Sequence, residues 1–394
     1  MAIVLGLVTI GLIQVGRWPT TTKPVEGPIL ARVIADGDRA PSALAVRDAE
    51  PLAEMNAHFR RTEGWIGADG AHSVPLGPDR TLWLFSDTWV GEVREGRRFN
   101  ATIVNNSVAA QQGRGTSAPF RFAVRQGSRG KPQAIIAPAD GRGWFWMQAG
   151  AAVNGRLVLF LTQVEKTVNA GVFSFHSVGQ WIGVVPNPDD DPTTWALKQL
   201  RLPFTIFTPE RELTFGAAVL EHAGCLYVYG TDEDVRATGR ERYLIAARVA
   251  GDAIDDFARW EFFHDGRWQS DFRQSTRLVP GMASDGSVSY LPDRHQFVLV
   301  YTDGGLSDRI LARSAPRPWG PWSEPVTVYR CPESGWDRRI YCYNAKAHSA
   351  LGTRDELVVS YVANSFEFWH VASDARLYWP RFVRVRLEPQ GRRE

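Results

Sequence analysis

Two segments of this 394-residue chain open with Asp-Gly-x-x-Ser and deliver a second Asp eighteen positions after the first. One runs from Asp69 through Ser73 to Asp87, the other from Asp285 through Ser289 to Asp303. Between the acids, each reads as strand, tight turn, strand: SVPL-GPDR-TLWLFSD and SVSYL-PDR-HQFVLVYTD. A hairpin folded at Pro78 brings Asp69 opposite Asp87, within a residue or two of register, at a Cβ separation of roughly 5 Å for facing neighbours. Two carboxylates that close resist joint ionisation, and one pKa rises. A proton-holding acid beside an ionised carboxylate is the pair that hydrolysis of a glycosidic bond requires. An Asp followed by Gly is also a common turn residue that bonds its own backbone, so Asp285 and Asp303 read as structural.

The elements that must position these acids recur along the chain. Strands of one apolar-aromatic type appear as TLWLFSD, RLVLFLT, CLYVYGT, FVLVYTD and ELVVSYV, with Leu82, Leu157, Leu226, Val298 and Leu357 at matching places. The steps between those residues are 75, 69, 72 and 59. Gly-Ala-Ala-Val at 150–153 returns at 216–219. Helical apolar periodicity is almost absent. Radial repetition of hairpin units predicts an all-β, five-bladed β-propeller of four-stranded blades with long loops. In such a ring the inner strands meet at one rim, which gathers a funnel of polar and aromatic groups. The expected catalytic pair is Asp69 and Asp87, with His72 tuning one of them. Trp65, His72, Asn106, Trp144, Trp146, Gln148, Glu165, Tyr343, Asn344 and His348 are the expected substrate-binding residues. His72 and His348 read equally well as core histidines, and most of the fifteen Trp as packing between blades.

Composition removes several classes of function. A net charge of +2 with signs mixed throughout offers no nucleic-acid footprint. No Cys/His spacing fits a zinc site and no glycine-rich phosphate loop precedes a helix, so neither metal nor cofactor is expected. Cys331 and Cys342, eleven positions apart, could close a disulfide, while Cys225 reads as a buried free thiol. An apolar run at residues 2–13 falls short of the ~20 residues of a spanning helix. It reads as a signal or anchor segment over 1–16, with possible membrane anchoring through 2–15 and an extracytoplasmic location. Residues 17–50 read as a linker and 51–390 as the propeller domain.

Several segments, GWIGADGAHSVPLGPDRTLWLFSDTWVG (64–91), Asn105-Asn106-Ser107, TDGGLSDRILARSAPRPWGPWSEP (302–325) and YNAKAH (343–348), resemble a bacterial family. That family is domain of unknown function 4185, whose members are grouped as glycoside hydrolase family 183, endo-acting D-arabinanases. The likeness runs from about Trp65 to about Leu387, with its more specific motifs in the first and fourth units. It implies a five-bladed propeller that cleaves D-arabinofuranosyl linkages, with the family's first-blade acids at Asp69 in GADG and Asp87 in FSDT. The expectation is therefore an extracytoplasmic glycoside hydrolase acting on a furanose polysaccharide, an endo-D-arabinanase on cell-wall arabinan. The alternatives are a glycan-binding propeller without catalysis, for which two facing carboxylates have no use, and a passive protein-interaction scaffold.

Overall fold

A computed structural model describes residues 43–167, 174–236 and 241–389. Strands dominate, as the alternating and short apolar runs require. Trp144–Val153 alternates partly exposed and buried side chains, the period-two signature of a strand with unlike faces. Gln296–Thr302, by contrast, is buried at every position. A middle strand covered on both faces by neighbouring sheets needs no polar face, hence the continuous apolar runs.

Four sheets are each built from one continuous stretch of chain. The first, within 63–123, has five strands; the second, within 144–201, has four; the third, within 206–280, has seven; the fourth, within 287–330, has four. The remaining four-stranded sheet is a composite of both ends of the described chain. Val46–Pro51 pairs antiparallel with Pro380–Leu387, which continues to Glu356–Ser365 and Ile340–Ala347. The expected five-bladed propeller is thereby corrected: four blades are built from continuous stretches of chain, with varying strand number, and the remaining sheet is a composite that joins the two ends and is not a repeat of the unit. Residues 46–50, read from composition as linker, supply the strand that closes it. The expected anchor over 1–16 lies outside the described residues, among which no helix is long and apolar enough to cross a membrane.

The sheets pack face to face in a ring, with an apolar core between each neighbouring pair. Val74, Leu82 and Leu84 of the first sheet interleave with Phe145, Met147 and Leu159 of the second. Val358 and Phe382 of the composite sheet meet Trp83 and Phe85 of the first. The ring encloses a channel cavity of about 320 Å³, whose lining includes His72, Ala149, Ala218, Gly286 and Lys346 from successive inner strands.

The seam between the composite and first sheets is sealed by the short helix Ala53–Phe59. Asn56 exchanges two hydrogen bonds with the Phe382 backbone, accepting from its N–H at 2.7 Å and donating to its carbonyl at 3.2 Å. Phe59, 1% exposed, is the hub of the seam. Its ring centroid lies 5.0 Å from Phe382, 5.1 Å from Phe120, 5.7 Å from Phe122 and 5.8 Å from Trp65. Phe59→Ala is expected to cost about 3–5 kcal/mol, the loss of a large buried ring together with the cavity it leaves. A lower urea midpoint with an unchanged slope is the measurement that checks this.

Candidate active site

The first hairpin carries the acid pair, and its irregularities aim it. Ala68 faces Thr88 and Gly70 faces Phe85, so Asp69 opposes Ser86 and Asp87 together across a bulge. A bulge bends a strand locally and re-aims side chains, and this one turns both acids toward the same rim. Gly70 has φ +89°, and a Cβ there would sit 3.1 Å from the Ser86 nitrogen. Ala71, which does carry a Cβ, is held left-handed at φ 54°. Two more non-glycine residues at the site, Asn344 and Tyr378, share that conformation, at φ 59° and 61°. Each such residue costs of order 1–3 kcal/mol and persists only where the surroundings impose it.

Asp69 Oδ2 accepts from the Tyr343 hydroxyl at 2.6 Å and from Tyr378 at 3.0 Å, while the enclosed Oδ1 has no hydrogen-bond partner. Burial, reinforced by the charge of Asp87, pushes the Asp69 pKa up to about 7 against the two tyrosine donors. Asp87 Oδ1 accepts from Trp146 Nε1 at 2.9 Å and from Asn105 Nδ2 at 3.1 Å. Burial pushes its pKa to about 6 despite those donors. Among the described residues every hydrogen-bond partner of the pair is neutral, so no paired cation offsets the mutual repulsion. The two carboxylates share one proton around neutrality, with Asp69 the member that keeps it. Each residue as a whole is half-buried.

A second constellation lies beneath. Lys346 Nζ, buried, donates to Asp285 Oδ2 at 2.8 Å, to the Gly70 carbonyl at 2.6 Å and to the Asn344 carbonyl at 3.1 Å. With its amide nitrogen toward Asp285, the orientation that satisfies both of its polar atoms, Asn344 donates to both carboxylate oxygens at 3.0 and 2.9 Å. Burial alone would raise the Asp285 pKa; Lys346 and His72 overcome it and hold the group at about 2. His72 Nε2 lies 3.6 Å from Asp285 Oδ2, and burial with the Lys346 charge lowers its pKa to about 4, so the ring is neutral at pH 7.

The structure brings together Asp69, Asp87, Trp146, Tyr343 and Asn344 from the expected set. Trp144 and Gln148 share the partly exposed face of the Trp146 strand. Others go elsewhere. His72 faces Asp285 and not the acid pair. Trp65 is buried, donates to Ser107 Oγ at 3.2 Å and packs against Phe122 at 4.5 Å, filling the seam. Asn106 is buried and satisfied by the Ile136 and Phe145 backbone; its neighbour Asn105 reaches Asp87 instead. His348 is clasped by Ser73 and Ser360 hydroxyls, each at 2.8 Å, in the core. Glu165 pairs with Arg142 at 3.0 Å. Cys331 and Cys342, whose pairing the sequence left open, are both free, buried thiols.

Asp285, read from sequence as structural, is a buried ion-pair member, while Lys346, Asn105 and Tyr378 stood outside the expected catalytic and binding set. The Asp-Gly pair hid Asp285 as a turn residue, and its one visible signal was the repeat of the Asp-Gly-x-x-Ser segment. Among the described residues, no group of three or more His, Cys, Asp or Glu could hold a metal ion.

Two outcomes follow from these electrostatics. Lys346→Met leaves Asp285 buried without its cation and is expected to cost about 3–5 kcal/mol. Adding Asp285→Leu should recover part of that loss in chemical denaturation. Asp69 has a folded pKa of about 7 against an ordinary 3.8, so its protonated form stabilises the fold fully below about pH 4, and that stabilisation is lost as pH rises through 7. The melting temperature of Asp69→Asn relative to wild type should therefore rise between pH 4 and pH 8.

Comparison with known proteins corrects the family expected from the motifs. No curated protein matches the chain. Among solved structures, a Bacteroides ovatus protein whose assignment as a hydrolase is itself provisional superposes with a TM-score of 0.68 at 19% identity, covering 86% of this chain and 90% of that one. At that identity the likeness shows a shared fold alone. A xylan β-1,4-xylosidase from Bacillus halodurans (TM-score 0.47, 11% identity, 84% of this chain and 55% of that one) is more distant. So is the family 62 α-L-arabinofuranosidase catalytic domain from Coprinopsis cinerea (TM-score 0.43, 12% identity, 88% and 98%). Neither adds to the argument. The family model that matches is not domain of unknown function 4185, so the resemblance drawn from the GADG and FSDT segments does not hold. Over residues 53–387 the chain belongs to the family described as a domain of unknown function, DUF5005.

Proposed function

We propose that this chain is a glycoside hydrolase in which Asp69 is the general acid and Asp87 the base or nucleophile. One observation carries the reading: two half-buried aspartates lie opposite each other across a bulge, with only neutral donors on them among the described residues and pKa values raised to about 7 and about 6. Two carboxyls both raised toward neutrality, one holding a proton while the other is ionised, can divide acid from base. Asp69 keeps its proton and delivers it to the leaving glycosidic oxygen, while ionised Asp87 acts on the anomeric carbon directly or through a water. Tyr343 and Tyr378 take up the negative charge that Asp69 acquires as the proton leaves. Trp146 and Asn105 fix the orientation of Asp87. Trp144 and Gln148, on the Trp146 face, are placed to meet the sugar.

A polymeric substrate outside the cytoplasm suits the apolar run at 2–13, and that location is part of the proposal. Arabinan was implied only by a family resemblance that does not hold, so endo-action on D-arabinan is carried as one arm of the test. The protein is incubated with arabinan, xylan, galactan and mixed plant and bacterial wall polysaccharides, and the products are separated by chromatography. Asp69→Asn and Asp87→Asn should each lower turnover by about 10²–10⁴-fold. The kcat/KM profile should be a narrow bell, limited near pH 6 by Asp87 and near pH 7 by Asp69. The reading fails if no polymer is shortened, or if both variants fold and retain turnover.

A further inference from the structure

The segment from Phe366 to Tyr378 joins two strands of the composite sheet and has two unlike ends. Its inner end places the Tyr378 hydroxyl on Asp69. Its outer end holds Phe366, Phe368 and Trp369 in solvent, with Trp369 79% exposed. Single exposed apolar side chains are ordinary on any surface. Here, however, four of the six exposed large hydrophobic residues among the described residues, Trp336 and these three, fall within 336–369.

The segment is also held rigidly. Arg98, from the first sheet, reaches across to donate to the backbone carbonyls of Val371, Asp374 and Leu377. Phe368 stacks at 5.6 Å on Trp89, two residues beyond Asp87. Phe368 is thereby anchored on the first sheet, and Trp369 packs edge-on against it at 5.4 Å.

Contact between this surface and the acid pair is continuous. Phe366 lies 4.5 Å from Tyr341, Tyr341 lies 5.5 Å from Tyr343, and the Tyr343 hydroxyl is on Asp69. Beside the rings is an open cleft of about 540 Å³ lined by Asp337, Arg338, Arg339 and Glu367. Arg339 bridges Asp337 at 2.6 Å and Glu367 at 3.0 Å. Its two acids and two bases cancel, so the cleft offers planar hydrogen-bonding groups without a net field. Planar ionic groups pair with vicinal hydroxyls, and aromatic faces cover the C–H faces of sugar rings.

We infer that the Phe366–Trp369 surface and the Arg339 cleft form a distal subsite for a neutral polysaccharide, holding units of the same chain whose bond lies at Asp69 and Asp87. The inference rests on the glycoside hydrolase reading, since continuity with the acid pair names the occupant.

The test is affinity electrophoresis of the full chain carrying Asp69→Asn, so that no polymer is consumed, through gels containing xylan, arabinan, galactan or polygalacturonate. At least one neutral polymer should retard the protein, and polygalacturonate should not retard it more strongly. Adding Trp369→Ala should weaken retardation by tenfold or more, Trp369→Phe should restore much of it, and Leu306→Ala, an exposed site elsewhere, should change nothing. Retardation unaltered by Trp369→Ala, or absent with every neutral polymer, would overturn the subsite. Retardation that depends on Trp369 in a protein that cleaves nothing would leave the subsite standing and remove the hydrolase reading alone. Cleavage with no Trp369-dependent retardation would do the reverse.

Discussion

A lysine ammonium sealed from water holds the centre of this molecule together. Lys346 comes from the composite sheet, donates to a carboxylate from the segment preceding the fourth sheet, and donates to a backbone carbonyl of the first. Taking both ions out of water carries a desolvation penalty, so such a pair persists only with close geometry and further hydrogen bonds. Asn344 and the Gly70 and Asn344 carbonyls supply those bonds. The result is a fixed anion at Asp285, a neutral His72 and a firmly placed Gly70. From that platform the bulge lifts Asp69 toward Asp87. The charge of Asp285 also contributes, as the least of the causes, to the raised pKa of Asp69.

The chemistry proposed for the acid pair depends on what does not surround it. Among the described residues no guanidinium or ammonium hydrogen-bonds either carboxylate; the donors are two phenols, an indole and an amide. Elsewhere the chain pairs its buried acids with cations in the usual way. Asp232 is held by Arg211 and Arg277, each at 2.7 Å, and Glu233 by Arg242 at 2.9 Å. The contrast separates structural acids from the pair that can exchange a proton. Left-handed Ala71, Asn344 and Tyr378 around that pair add a second mark, since strain of this kind is retained where geometry matters more than local stability.

The legible part of the site was local. A hairpin fixes its own register, so the Pro78-Asp79 turn and the spacing of eighteen placed Asp69 against Asp87 from sequence alone. What could not be read was distant in sequence or depended on strand parity. Lys346 lies 61 residues from Asp285, and Tyr378 lies 309 residues from Asp69. Asn105 and Asn106 differ by one position, and the end of a strand decides which points to the rim. Trp65 and His348 are side chains that suit either a core or a sugar, and packing took both. Ring closure escaped notice because Val46–Pro51 is a half-exposed strand whose partner stands at the far end of the chain.

That closure has a consequence for how the protein comes into being. Tyr343, Asn344 and Lys346 belong to the sheet that unites residue 46 with residue 387, and Tyr378 to the segment joining two of its strands, whereas Asp69 and Asp87 are laid down early in the first hairpin. During synthesis the two acids emerge long before the groups that orient them. Until the final strand docks, Asp69 sits in water as an ordinary carboxylate, and proton sharing cannot begin. A polypeptide interrupted between Asp87 and Tyr378 would carry both acids without the full set of donors that holds Asp69.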